Sequence, residues 1–215
     1  MKKTIIFDVD GTLLDTERIY MDAWQEAGAQ LGYTVTEEAL RKTRAVRASI
    51  AASIFKACCG EDFPYEKVRQ ERIRIAEEII AAKTPEQLWK PHLCQTLETL
   101  RSQGYVMAVA SSTELAKTKR HLAHAGILEY FPVVVCGDMV EKGKPEPDIF
   151  LLAASLCGSD PKECIVVGDT PADVLAGSAA GMDVYLIPDQ VPANPQTTAL
   201  SRRVLNHLGE LLEVL

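Results

Sequence analysis

The chain has 215 residues, of which 47% are hydrophobic and 25% charged, and it carries a formal net charge of −7. That length and apolar content support a sizeable core and exclude extensive disorder. The acidic balance argues against nonspecific nucleic-acid binding, which requires a basic face, and no apolar run reaches the roughly 18 residues of a membrane span. Six cysteines occur, at Cys58, Cys59, Cys94, Cys136, Cys157 and Cys164. Cys136 and Cys164 sit in or beside apolar runs, Cys58-Cys59 lacks a metal or redox spacing, and all six are read as reduced structural thiols. A monomeric cytoplasmic protein is expected, with no nucleic-acid or membrane partner.

Residues 4–7, Thr-Ile-Ile-Phe, form a short branched and aromatic run expected to be a buried strand. It ends in Asp8-Val9-Asp10-Gly11-Thr12. Extended residues two apart point the same way, so two carboxylates aim into one small volume. That arrangement is costly unless positive charge sits beside it, and a hard cation with phosphate chemistry is the natural partner.

Residues 17 to about 85 then read as helical throughout. Glu17 to Leu31 carries apolar residues at helical spacing. Thr36-Glu37-Glu38-Ala39 reads as a cap with acids in the first turn. Residues 46–58 and 65–82 continue in the same style.

Beyond this block strand and helix alternate. Apolar runs at 106–110, 133–136, 165–167 and 184–187 are separated by helical segments near 92–102, 113–125, 147–157 and 171–180. Short strands that are apolar on both faces imply a parallel sheet with helices on both sides. The fold class is therefore α/β, a Rossmann-like parallel sheet carrying an inserted all-helical block. The first strand belongs to the sheet, since an isolated strand would not be stable. The expected boundaries are a core of 1–15 and 91–215 and an insertion of 16–90. Placed there, the insertion would act as a mobile cap over the carboxyl ends of the strands, where ligands bind in open α/β sheets. Residues 190–200 read as loop, and the leucines at 205, 208, 211, 212 and 215 as one face of a terminal helix.

Polar residues close these runs: Asp8 and Asp10, then Ser111, then Asp169, while Lys144 precedes a helix in Gly143-Lys144-Pro145-Glu146-Pro147-Asp148. Two acids, a hydroxyl, an ammonium and a further acid fit phosphoryl transfer through an aspartyl-phosphate. Mg²⁺ takes hard oxygen ligands and would relieve repulsion between the acids and a phosphate dianion. His92, His121, His124 and His207 show no metal-site spacing.

These residues carry a resemblance. Asp8-Val9-Asp10-Gly11-Thr12-Leu13-Leu14-Asp15, Ser111, Lys144 and Gly168-Asp169-Thr170-Pro171-Ala172-Asp173 occur in the order of the four motifs of haloacid dehalogenase-like hydrolases. The chain resembles the helical-cap branch of phosphoglycolate phosphatases, sugar phosphatases and β-phosphoglucomutases over essentially its whole length. The resemblance implies that Asp8 is the nucleophile and a metal ligand. It implies that Asp10 is the general acid/base and a ligand through its carbonyl. Asp169 would bind Mg²⁺, and Asp173 would hold a metal-bound water or orient Lys144. Ser111 and Lys144 would bind the phosphoryl group, and Thr12 would steady the turn and help position Asp10. Substrate choice would come from the cap, with Glu17, Arg18, Arg44 and Arg47 as candidates. Ala45 stands where relatives commonly carry glycine, and alanine resists positive φ, so the loop is expected to differ from that of the mutases. The implied activity is Mg²⁺-dependent hydrolysis of a small phosphorylated metabolite, a sugar phosphate first. The alternative is a β-phosphoglucomutase-like mutase, which could share every core residue. A fold retained for binding alone has no support from the intact motifs.

Overall fold

The computed structural model describes residues 4–44 and 48–215. Two compact units emerge, one of residues 1–15 and 84–215 and the other of residues 16–83.

The first unit is built on a six-stranded sheet. Strands β1 (Thr4–Phe7), β2 (Val106–Ser111), β3 (Val133–Cys136), β4 (Cys164–Gly168), β5 (Asp183–Leu186) and β6 (Arg203–Val204) lie in the order β3-β2-β1-β4-β5-β6. Every pairing is parallel. Residues 4–7 of β1 are all at most 1% exposed. Such a strand needs cover on both faces, which explains its unbroken apolar sequence. Ile6 and Val166 share one face and join a core with Ile149 and Phe150 of α7 (Asp148–Leu156) and Val174 of α8 (Pro171–Ala179). Phe7 points to the other face and meets Phe131 edge to face at 6.1 Å.

Two further helices complete the alternation, α5 (Leu93–Ser102) before β2 and α6 (Leu115–His124) before β3. The chain order reverses direction at β1, which lies between β2 and β4. Open α/β sheets bind ligands outside the carboxyl ends of strands at such a switch point.

Three local expectations need correction. Residues 84–90 belong with the sheet unit rather than with the insertion. Asp15 N–H donates to the Leu88 carbonyl at 2.8 Å and Lys90 N–H to the Leu13 carbonyl at 3.0 Å. Leu88 is fully buried there, so the return segment is tied to the first strand's loop by both backbone and core. Within 190–200, residues Pro195–Leu200 form a helix, α9. Asn194 accepts from Thr197 N–H at 3.0 Å and Pro195 occupies the first turn, so the polar composition encodes a cap. The C-terminal leucines do not form one continuous helix. A 3-10 turn at Leu208–Glu210 leads into the short α10 (Leu211–Val214), with Leu205, Leu208 and Leu211 buried.

The second unit contains α1 (Thr16–Gln30), α2 (Glu37–Thr43), α3 (Ala48–Cys59) and α4 (Tyr65–Ala82). Thr36 caps α2, accepting from Ala39 N–H at 3.2 Å. Trp24 packs on Phe55 at 4.3 Å and on Tyr65 at 5.6 Å, giving this unit its own aromatic core. No helix among the described residues is long and apolar enough to cross a membrane.

Candidate active site

The site grows from the loop after β1. Leu13 and Leu14 N–H both donate to the Val9 carbonyl, at 3.0 and 2.9 Å, and Gly11 N–H donates to Leu14 at 2.8 Å. This tight turn puts Gly11 at φ +93°, a region that disfavours any side chain. A Cβ on Gly11 would also lie 2.5 Å from Asp169 Oδ2. Glycine therefore lets the first loop and the end of β4 approach each other.

Lys144 is the hub. Its Nζ lies 2.6 Å from Asp8 Oδ1 and 2.6 Å from Asp173 Oδ1, and it donates to the Ala110 carbonyl at 2.7 Å. Its side chain is only 3% exposed. Asp173 is oriented by a capping box at the start of α8. Its Oδ2 accepts from Thr170 N–H at 3.0 Å and from the Thr170 hydroxyl at 2.5 Å. Thr12 is fully buried and donates to Asp169 Oδ1 at 2.9 Å.

Asp8, Asp169 and Asp173 offer carboxylate oxygens that all lie within 4.8 Å of one another. Burial pushes the Asp8 carboxyl up to about 7; the charges of Asp173 and Asp10 add to this rise, while Lys144 opposes it. Asp169 is held well above the usual carboxylate range by burial, then by Asp8 and Asp173. Burial works against the charge on Lys144, but Asp173 and Asp8 outweigh it and the pKa is raised. A single ammonium thus leaves this trio short of positive charge. Buried hard oxygen donors with that deficit suit a divalent cation such as Mg²⁺.

On the other side, Ser111 is buried at the end of β2, and its Oγ accepts from Thr113 N–H at 3.1 Å. The Thr113 hydroxyl donates to Asp10 Oδ2 at 3.0 Å.

A family model described as haloacid dehalogenase-like hydrolase matches residues 2–181. The chain belongs to the haloacid dehalogenase-like hydrolase family. It is 35% identical over 187 residues to hexitol phosphatase A of Escherichia coli, covering 86% of this chain and 82% of that one. It is 32% identical over 183 residues to the fructose-1-phosphate phosphatase YqaB of the same organism, covering 83% and 93% respectively. Among solved structures, CbbY from Rhodobacter sphaeroides in complex with phosphate superposes with a TM-score of 0.80 at 25% identity, covering 98% of this chain and 96% of that one.

In this hydrolase Asp8, Thr12, Lys144, Asp169 and Asp173 come together in one cluster, with Ser111, Thr113 and Asp10 linked in a second chain of contacts. Thr12 N–H donates to the Val9 carbonyl within the turn at 3.3 Å, its hydroxyl donates to Asp169, and the Thr113 hydroxyl donates to Asp10. Glu17 and Arg18 lie in the first turn of α1, and Arg44 ends α2. Arg47, like Ala45, lies outside the described residues. In the same helical unit Arg72 lies 5.0 Å from the ring centres of both Tyr20 and Trp24 and donates through Nε to the Tyr20 carbonyl at 2.7 Å. Burial lowers the Arg72 pKa and the charge of Glu17 opposes that.

Three contributors escaped the reading of the sequence. Thr113 follows Ser111 by two positions in a run of hydroxyl residues, Ser111-Ser112-Thr113, that does not single it out. Thr170 consumes one oxygen of Asp173, and the T-P-x-D pattern of a capping box was the available signal. Asp189 adds to the raised pKa of Asp169 and is itself held by Lys90 at 2.8 Å. An acid just after the run 184–187 was its only sequence trace.

Proposed function

We propose that this hydrolase is a Mg²⁺-dependent phosphatase of a small phosphorylated metabolite, a sugar phosphate, acting through an aspartyl-phosphate on Asp8. The observation that carries the reading is the Lys144 ammonium wedged between Asp8 and Asp173 beside a carboxylate trio. That arrangement keeps a buried carboxylate next to fixed positive charge, which lets it meet a phosphate dianion.

Asp8 and Asp169 would hold Mg²⁺ through their carboxylates, joined by the Asp10 carbonyl. Both oxygens of Asp173 are engaged by Lys144 and Thr170, so of its two expected roles this contact favours aiming Lys144. When bound, Mg²⁺ supplies charge neutralisation between nucleophile and phosphate. Asp8 forms a bond to phosphorus as the bond to the ester oxygen breaks, and Asp10 gives that oxygen its proton, releasing a neutral alcohol. Water then attacks the same phosphorus, Asp10 takes a proton from it, and phosphate leaves Asp8 as a free carboxylate. Ser111 and Lys144 hold the phosphoryl oxygens throughout. Selectivity would come from the helical unit, with Glu17, Arg18, Arg44 and Arg47 as the candidates.

Hydrolysis is favoured over mutase chemistry by the names borne by the relatives at 32% and 35% identity, both sugar or hexitol phosphatases. A phosphate-release screen over hexose, pentose and hexitol phosphates, nucleotides and phosphoglycolate with Mg²⁺ tests the reading, with sugar isomers assayed alongside. Release of inorganic phosphate from sugar or hexitol phosphates is expected. Isomerisation without phosphate release, or no turnover of any ester, overturns it.

A further inference from the structure

Thr113 links two groups to which the proposed chemistry gives separate tasks. Its N–H holds the Ser111 hydroxyl at 3.1 Å, and its own hydroxyl donates to Asp10 Oδ2 at 3.0 Å. Its carbonyl accepts from Gly137 N–H at 3.3 Å, tying it to the segment after β3. That segment is tightly packed, since a Cβ on Gly137 would lie 2.6 Å from the Ser112 carbonyl. The loop 111–113 is thus braced through its backbone, and the hydroxyl of residue 113 is presented from a fixed base.

We propose that Thr113 is a positioning residue for proton transfer: its hydroxyl, donating to Oδ2, holds the orientation of the Asp10 carboxyl group that gives the leaving oxygen its proton. A hydroxyl on Oδ2 restrains the torsion of the carboxyl group, and with it the direction in which the acid faces. Through the Thr113 backbone the same residue sets the distance between that acid and the Ser111 hydroxyl. A change at this position would alter the aim of the proton relative to the bound phosphoryl group. Small misplacements of a reacting group are costly in rate. The proposal rests on the phosphatase reading, and it adds a residue outside the implied family roles of Asp8, Asp10, Ser111, Lys144 and Asp169.

The test compares Thr113→Val, which keeps the shape and removes the hydroxyl, with Thr113→Ser, which keeps the hydroxyl. Each is assayed for kcat/KM on a hexitol or hexose phosphate and on p-nitrophenyl phosphate. An alkoxide leaving group needs a proton, whereas nitrophenolate leaves without one. Thr113→Val is expected to lower kcat/KM on the sugar or hexitol ester about 10- to 100-fold and to change the nitrophenyl ester by less than about threefold. Thr113→Ser should restore the sugar ester to within about threefold of wild type. Thermal unfolding of each variant reports whether the fold is intact. Equal losses on both esters would mean that Thr113 serves phosphate binding or the fold, and would overturn the proposal, as would a Val variant that handles the sugar ester like wild type. A wild-type enzyme that turns over neither ester is a failure of the phosphatase reading itself, which the variants do not enter.

Discussion

Asp8→Asn should separate stability from activity. Folding raises the Asp8 pKa from 3.8 to about 7, with burial the largest cause. A group that binds its proton more tightly when folded contributes its full stability below its unfolded pKa, and that stability is lost as pH rises through the folded pKa. At about 1.4 kcal/mol per pK unit, the rise of about three units corresponds to about 4 kcal/mol lost between pH 4 and pH 7. Asparagine has the same shape and no proton to lose. In a metal-free buffer the variant should match wild type near pH 4 and exceed it by up to about 4 kcal/mol at pH 8. For a chain of this size that is on the order of 10 °C in melting temperature. Thermal unfolding with chelator at pH 4.5, 6 and 8 reads it, on the transition that melts the sheet unit. Saturating Mg²⁺ should close the gap, because the ion binds and stabilises the wild-type cluster more strongly. The variant should form no aspartyl-phosphate and release no phosphate. A variant no more stable than wild type at pH 8, or one whose advantage is the same at pH 4.5, would refute the argument that Asp8 is held against its own charge.

Other outcomes follow from the same geometry. Lys144→Met removes one partner from a buried cluster and should destabilise the metal-free protein by about 3–5 kcal/mol at pH 8, measured by denaturant unfolding; an unchanged midpoint would deny it the role of hub. Gly11→Ala meets Asp169 Oδ2 at 2.5 Å from a backbone at φ +93°. It should cost at least about 1–3 kcal/mol and weaken Mg²⁺ binding, read by calorimetric titration of the ion. Asp10→Asn should keep Mg²⁺ affinity within a few-fold while lowering kcat on sugar esters about 10²- to 10⁴-fold. Chelation should abolish turnover, and added Mg²⁺ should restore it.

Much of the architecture was readable because its signals are local. Val133 to Cys136 and Ile165 to Val167 are apolar on both faces, as covered parallel strands are. Strands β2 to β5 fall within a residue of their expected bounds at every end. One local signal lies inside a loop-like composition: Asn194-Pro195 starts a helix within an otherwise polar stretch. The two-residue β6 offered no periodicity to detect, and it exists through its pairing with Tyr185 and Leu186. The return of the chain at Thr84 rather than Pro91 depends on Leu88 and Lys90 meeting the Leu13–Asp15 segment, a contact between positions far apart in sequence.

The site divides along the same line. By itself the sequence determined which acids, hydroxyl and ammonium close the strands, because residue type and strand end are properties of a short segment. Asp8 and Asp10 are two apart on an extended chain, and that alone made them a pair. Only the tertiary structure decided who partners whom. It gave Thr12 to Asp169 and Thr113 to Asp10, and it put Lys144 between Asp8 and Asp173. Those contacts span up to 157 positions in the chain and depend on the strand order that sets β1 beside both β2 and β4. Hydrogen bonds require closeness to a few tenths of an ångström, and no spacing along a sequence specifies that.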